Sequence, residues 1–212
     1  NQQLDPAVAM NANGQFVVVW TSTQGSTGQD LYARVYNADG TAASGEIAVQ
    51  TAVGDQLNPD VAIDDSGRFV VTWQGDGSGD ASGVFARRYD AAGTALGAAF
   101  KVNPATAGNQ DSPQVAMDAN GAFVVGFVDR GGSDPVIRVS RYDAVGTFQN
   151  NVVVNVDTIG AADYVSVDMN ATGGFIVAWS QYGSDASQTG VMYRRFDAAG
   201  TALDASDVLA NT

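Results

Sequence analysis

Two residue types are missing altogether: the 212 residues include no cysteine and no histidine. Without cysteine there are no disulfides and no zinc–thiolate sites, and bonding says nothing of the redox compartment. Without histidine the commonest general base and the commonest transition-metal ligand are gone. Glutamate and lysine occur only as Glu46 and Lys101, so the acids are otherwise Asp and the bases otherwise Arg. Aspartate predominates because its side chain hydrogen-bonds local backbone in turns. Ten basic residues face 23 acidic ones, and the net charge of −13 repels phosphate backbones, which excludes nucleic acid as a partner. No apolar run approaches the ~18 residues needed to span a bilayer, and no signal-peptide pattern opens the chain. Asn1 is not an initiator residue, which points to a processed product or a segment of something longer.

What the chain has is repetition. The segment PDVAIDDSGRFVVTW at 59–73 has counterparts at 6–20 (PAVAMNANGQFVVVW), 113–127 (PQVAMDANGAFVVGF) and 165–179 (VSVDMNATGGFIVAW). A second signature follows each copy: YARVYNADGTA from Tyr32, FARRYDAAGTAL from Phe85, VSRYDAVGTF from Val139 and YRRFDAAGTAL from Tyr193. Trp20, Trp73, Phe127 and Trp179 are separated by 53, 54 and 52 residues. Units so alike bury their faces against one another, so the sequence predicts a single domain over 1–212, with repeats at about 1–54, 55–108, 109–160 and 161–212. A hydrophobic content of 45% is that of a globular chain, so the charged fraction of 16% does not signal disorder.

Each repeat reads as four short strands, A to D. Strand A is the VAM-like stretch at 8–10, 61–63, 115–117 and 167–169. Strand B is the apolar run from Phe16, Phe69, Phe123 and Phe175, β-branched and aromatic, as a strand covered on both faces would be. An Asp or Asn with Gly three residues later joins A to B, and the same tight-hairpin chemistry follows strand C, which ends on Tyr36, Tyr89, Tyr142 and Phe196. Strand D is expected at 46–50, 99–103, 151–155 and 207–211. No stretch keeps a helical period. Four antiparallel strands per unit of ~50 residues indicate an all-β fold, a β-propeller of four four-stranded antiparallel blades. The alternatives are an arc of a larger propeller or half of a dimeric ring. Residues 1–2 align with 55–56 and 211–212 with 50–51, only a few loop residues short of a full circle, so a closed ring is preferred. The long, variable B–C and D–A connections emerge together and form the expected ligand face.

The wording P-x-VAM-D-x-x-G-x-FVV-x-W, then YARRYDAAGTAL and a strand ending in VNT or VNP, resembles the roughly 50-residue propeller-like repeats of very large secreted bacterial proteins. Those repeats are found beside RTX-type calcium-binding and cadherin-like modules. The likeness runs through all four repeats. It implies an extracellular, bacterial cell-surface setting and a non-enzymatic, adhesive role, and it supplies no catalytic residue. The fourth repeat departs from the wording, with Asp168 where the others have Ala9, Ala62 and Ala116.

Several residues carry candidate chemistry. In the loop QGDGSGDASG at 74–83, Asp76, Ser78 and Asp80 alternate between glycines and offer oxygens suited to calcium, although a merely solvated loop has the same composition. Asp30, Asp129, Asp134 and Asp185 are single acids on the other B–C loops. Arg34, Arg87, Arg88, Arg141, Arg194 and Arg195 on strand C alternate faces, so each pair sends a guanidinium to a blade interface. Such an arginine needs a carboxylate, from Asp90, Asp143, Asp197 or the next blade; an anionic glycan is the functional alternative. Trp20, Trp73, Phe127 and Trp179 sit among apolar neighbours and read as core. Tyr164 and Tyr182, without counterparts elsewhere, are the sugar-contact candidates, with Asp168 on the innermost strand.

The resulting expectation is a secreted or cell-surface binding or adhesion module for a glycan or protein ligand, assisted at most by calcium, with no membrane insertion. Catalysis is not expected, since there is no His, Cys, motif nucleophile or paired acid outside the repeat pattern, although Asp pairs alone suffice for a glycosidase. The alternative is a structural subunit of a fibre, sheath or surface layer, self-associating through apolar outer strands at 47–49 and 152–154.

Overall fold

The computed structural model describes residues 2–25, 28–156, 160–184 and 188–211. Asn1, Thr212 and the candidate acid Asp185 lie outside them. The chain folds into four antiparallel sheets of four strands, each made from one repeat in sequence order. Sheet 1 contains β1 (Gln3–Met10), β2 (Phe16–Ser22), β3 (Asp30–Tyr36) and β4 (Ile47–Gln50). Sheet 2 contains β5 (Gln56–Ile63), β6 (Phe69–Gly77), β7 (Asp80–Tyr89) and β8 (Phe100–Lys101). Sheet 3 contains β9 (Gln110–Met117), β10 (Phe123–Asp129), β11 (Val136–Tyr142) and β12 (Phe148–Val153). Sheet 4 contains β13 (Ala162–Met169), β14 (Phe175–Tyr182), β15 (Thr189–Phe196) and β16 (Val208–Leu209). This is the four-bladed propeller architecture read from the repeat. No helix of the described residues is long and apolar enough to cross a membrane.

The hairpins form for the reason their composition suggests. In each A–B turn the opening Asp or Asn accepts backbone N–H bonds from two and four residues on; Asp64 Oδ1, for example, accepts from Ser66 N at 2.9 Å and Arg68 N at 2.9 Å. The turn closes on a glycine in the left-handed region, φ 84° at Gly67, which a Cβ would strain. Strand D is shorter than expected in sheets 1, 2 and 4, whereas in sheet 3 it starts earlier, at Phe148, and in sheets 2 and 3 an asparagine side chain finishes the ladder. Asn103 Oδ1 accepts from Val84 N at 2.8 Å, and Asn155 Oδ1 accepts from Ile137 N at 2.8 Å.

Strand A differs more. It starts at Gln56 and Gln110 rather than at Val61 and Val115, so Pro59 and Pro113 lie within strands. A proline has no N–H for the ladder and is tolerated in a strand at a bulge. The register of strand A on strand B slips at the equivalent place in all four sheets.

Successive sheets stack through three hydrophobic cores, one between each consecutive pair. Val17, Val70 and Val124 face the following sheet and are at most 1% exposed, whereas the equivalent Ile176 of sheet 4 is 38% exposed. On the opposite faces Trp73, Phe127 and Trp179 are buried, as expected of core residues, but Trp20 of sheet 1 is only half-buried. No comparable core joins sheets 4 and 1 among the described residues. With these faces exposed, the seam between sheets 4 and 1 is open, which fits the arc kept as the alternative rather than the closed ring preferred from the sequence.

Arginines stitch the interfaces. Arg88 donates to Ala144 O at 3.0 Å and to Val145 O in the C–D turn of sheet 3, and Arg141 donates to Ala199 O at 2.7 Å and to Ala198 O in that of sheet 4. On the opposite faces, Arg87 donates back to Val49 O at 3.0 Å and Arg194 to Val154 O at 2.9 Å. The expected carboxylates form no ion pair with these arginines among the described residues: Asp90, Asp143 and Asp197 accept backbone N–H groups of their own turns, and Asp143 and Asp197 act on Arg88 and Arg141 only through their charge. Carbonyls suffice because these guanidiniums remain partly hydrated. Arg88→Ala is expected to cost about 1–2 kcal/mol in urea unfolding, the scale of charged hydrogen bonds in partial solvent.

Candidate active site

The four bulges meet at the axis. Asp5 and Pro6, Asn58 and Pro59, Ser112 and Pro113, and Tyr164 and Val165 line one pocket of about 440 Å³, completed by Gln114. The residue that begins each bulge has a left-handed backbone, with φ of 47° at Asp5, 49° at Asn58, 55° at Ser112 and 52° at Tyr164. Asp and Asn tolerate that region; a tyrosine there is strained, and such strain persists where the surroundings enforce it, often at functional sites. The pocket lies towards the end of strand A that pairs with the end of strand B, at Gln3↔Ser22 in sheet 1, where the B–C and D–A connections emerge.

Polar bonds between sheets hold the walls. Gln74 Oε1 accepts from Asn58 Nδ2 at 3.0 Å and from Ser112 N at 2.8 Å, tying the bulges of sheets 2 and 3 together. Arg130 bridges Asp111 at 2.5 Å and Asp163 at 2.7 Å, each one residue before a lining residue, and so links the bulges of sheets 3 and 4. Those two carboxylates neutralise a guanidinium and are committed to structure.

Two acids remain. Asp5 is exposed on the pocket wall, with Thr21 Oγ1 at 3.5 Å from its Oδ2. Asp60 follows the lining Pro59, and its Oδ2 accepts from Val115 N at 2.8 Å on the neighbouring sheet. Burial pushes the pKa of Asp60 from 3.8 up to about 6, against the opposing effect of that hydrogen bond. The sequence reading missed both, although they stand where the repeats differ: Asp5 against Asn58, Ser112 and Tyr164, and Asp60 against Ala7, Gln114 and Ser166.

Of the sugar-contact candidates, Tyr164 lies in the pocket and is 79% exposed. Tyr182 is 55% exposed at the end of β14 and does not line the pocket. Asp168 is elsewhere, on the bare face of sheet 4 in a depression with Ile176, Arg195 and Leu203, its Oδ1 accepting from Met169 N at 2.9 Å. Asp76, Ser78 and Asp80 line a separate shallow pocket with Gln50, Ala52 and Val53. Asp80 is already engaged there, accepting from Ser82 N at 3.1 Å and Asn103 Nδ2 at 2.7 Å. Among the described residues no three acidic side chains gather as a metal cluster. Asp129 is a structural partner of Arg138 at 2.6 Å.

No family model and no curated protein matches the chain. Solved structures share its fold. A Dyadobacter fermentans protein of unknown function superposes with a TM-score of 0.70 at 13% identity, over 99% of this chain and 69% of that one. An α-L-arabinofuranosidase of Podospora anserina, solved with cellotriose, gives a TM-score of 0.55 at 16% identity over 99% and 68%. An endo-arabinase of Bacteroides thetaiotaomicron gives 0.57 at 13% identity over 100% and 82%.

These findings correct three expectations. The resemblance to RTX- and cadherin-associated surface repeats does not hold, since no family model supports it and the structures that share the fold include glycosidase propellers. The adhesion module and its fibre-forming alternative fall with it; the apolar outer strands bury Val49 and Val154 completely and leave Val153 46% exposed. The expectation of no enzyme rested on absent His and Cys and on acids confined to the repeat pattern. Asp5 and Asp60 escape that pattern, and the fold is one on which glycosidases are built.

Proposed function

We propose that the axial pocket is a glycan-binding active site and that the protein is a glycoside hydrolase that works with carboxyl groups alone. The observation that supports this reading is the convergence of Tyr164 and Asp5 on one pocket, with Asp60 next to the lining Pro59 and bonded to the backbone of Val115, next to the lining Gln114. The exposed Tyr164 ring offers a flat face for a sugar ring to stack on. Asp60, which keeps its proton to about pH 6, is suited to protonate a glycosidic oxygen, and Asp5 supplies the second carboxylate that such hydrolysis requires. The structures of similar fold named for arabinose-containing substrates make those glycans the first to offer.

The test is release of reducing sugar from arabinan, arabinoxylan and chromogenic α-L-arabinofuranosides. Asp5→Asn and Asp60→Asn are each expected to lower kcat by about 10²- to 10⁴-fold, the range for a lost acid or base. Tyr164→Ala is expected to raise KM about tenfold, equivalent to ~1.4 kcal/mol of lost binding. Glycan binding that is indifferent to Tyr164→Ala, with no hydrolysis of any substrate, would sink the reading. Calcium at the Asp76, Ser78 and Asp80 loop is a separate proposal: a cation would have to take Asp80 from Asn103. A calcium-dependent rise in melting temperature that Asp80→Asn abolishes would establish it.

A further inference from the structure

Sheets 4 and 1 each leave one face bare, and the contacts repeated at the other interfaces specify what fits there. Leu31, Val84 and Ile137, all facing the following sheet, are fully buried, while the equivalent Val191 is 46% exposed. Facing the preceding sheet, Val61 and Val115 are 4% and 7% exposed, while the equivalent Val8 is 64% exposed. The arginine contacts stop at the same two edges. Arg88 and Arg141 reach the C–D turn carbonyls of the following sheet, but Arg195, next in the series, turns back to Asp204 of its own sheet at 2.6 Å. Arg87 and Arg194 reach carbonyls of the preceding strand D, and Ser140 donates to Val102 O in the same way at 3.0 Å. Arg34, first in that series, makes the bond to its own sheet that Arg87 and Arg194 also make, to Ser44 O, but among the described residues no bond to another sheet.

We propose that the seam between sheets 4 and 1 accepts one further four-stranded blade of this same repeat. Its face towards sheet 4 would cover Ile176 and Val191 and present a C–D turn to Arg195. Its face towards sheet 1 would cover Val8 and Met10 and present a strand-D carbonyl to Arg34. One blade fits rather than a whole second copy, because the bulges of sheets 1 and 4 already line the same axial pocket. Near the axis the gap is therefore a single wedge; a second copy would bring three blades too many into it.

The experiment appends a copy of residues 55–108 after Thr212 and compares the extended and original chains. The repeat carries the turn carbonyls at Ala91 and Ala92 and the strand-D carbonyl at Val102 that the seam calls for. The extended chain is expected to be a monomer, to bind less of an apolar-surface dye, and to melt about 5 °C or more higher, since added burial shifts the midpoint of a chain this size. Arg195→Ala should reduce that gain in the extended chain and leave the original chain nearly unchanged. If the extension misfolds, the same repeat placed before Asn1 must give the gain, because the blade enters the same gap from either side. No gain from either placement overturns the proposal. So does an original chain that is dimeric and dispersed by both Ile176→Asp and Met10→Asp, which would make a second copy the occupant.

Discussion

Trp73→Ala is expected to destabilise the fold by about 3–5 kcal/mol, the range for truncating a large buried aromatic. Trp73 is 1% exposed in the core shared by sheets 1 and 2, with Val17, Val19, Leu31 and Ala33 in the same cluster. Its ring stacks on Phe85 with centroids 6.2 Å apart. Both sheets are pinned by ladder hydrogen bonds, so they cannot close on the space left by an indole and a cavity remains. For a chain of this size each kcal/mol lowers the melting temperature by about 2–4 °C, so calorimetry should show a fall of about 6–20 °C. Trp73→Phe should cost far less. Sheet 3 already uses Phe127 at the equivalent place, and the buried Trp73 Nε1 has no hydrogen-bond partner among the described residues, so removing it forfeits no bond. Equal losses from both substitutions would show that the indole's polar edge, and not its volume, matters.

Asp60→Asn is expected to stabilise the protein at neutral pH while removing the proposed acid. Burial raises the folded-state pKa of Asp60 from 3.8 to about 6, so the fold favours the protonated form. Below 3.8 the group is protonated in both states and its favourable contribution is complete. Between 3.8 and 6 the unfolded chain gives up the proton while the folded chain keeps it, and stability falls with rising pH. Above 6 the contribution is gone, a loss of about 3 kcal/mol at 1.36 kcal/mol per pH unit. Asparagine is neutral throughout and keeps an oxygen for Val115 N. The variant should therefore match the parent near pH 4 and exceed it by up to ~3 kcal/mol at pH 7–8. A difference that does not change with pH would show that Asp60 titrates like a solvated carboxylate. A site residue that weakens the fold it serves is a common compromise between stability and activity.

The parts of this structure legible in the sequence are those set by local pattern. The Asp/Asn-x-x-Gly turns, the β-branched strand B and the aromatic ends of strand C act within one repeat, and four copies made the blade unmistakable. The axial pocket was hidden because it depends on where the repeats differ. Pro59 looked like the end of a loop, and only the bulge it occupies turns Asn58, and its counterpart Tyr164, towards the axis. The columns holding Asp5 and Asp60 varied in plain sight, but variation at a single column says nothing until four columns are seen to converge. The partners of the strand C arginines were misjudged for a related reason: the neighbouring Asp is adjacent in sequence, yet its oxygens are taken by its own turn. The open seam could not be read at all, since an identical blade sequence serves a closed ring and an arc.

The stacking of each sheet only on its neighbours also sets the order in which the molecule loses structure. Sheets 2 and 3 are held on both faces and sheets 1 and 4 on one, so freeing an end sheet breaks a single interface where freeing an inner one breaks two. Amide protons in β6 and β10 are therefore the last to exchange with solvent, and those in the outermost sheets escape earlier through partial opening. The axial pocket takes a wall from every sheet. It ceases to exist at the first such opening, so on warming, the capacity to hold a ligand fades before the bulk of the β-structure does.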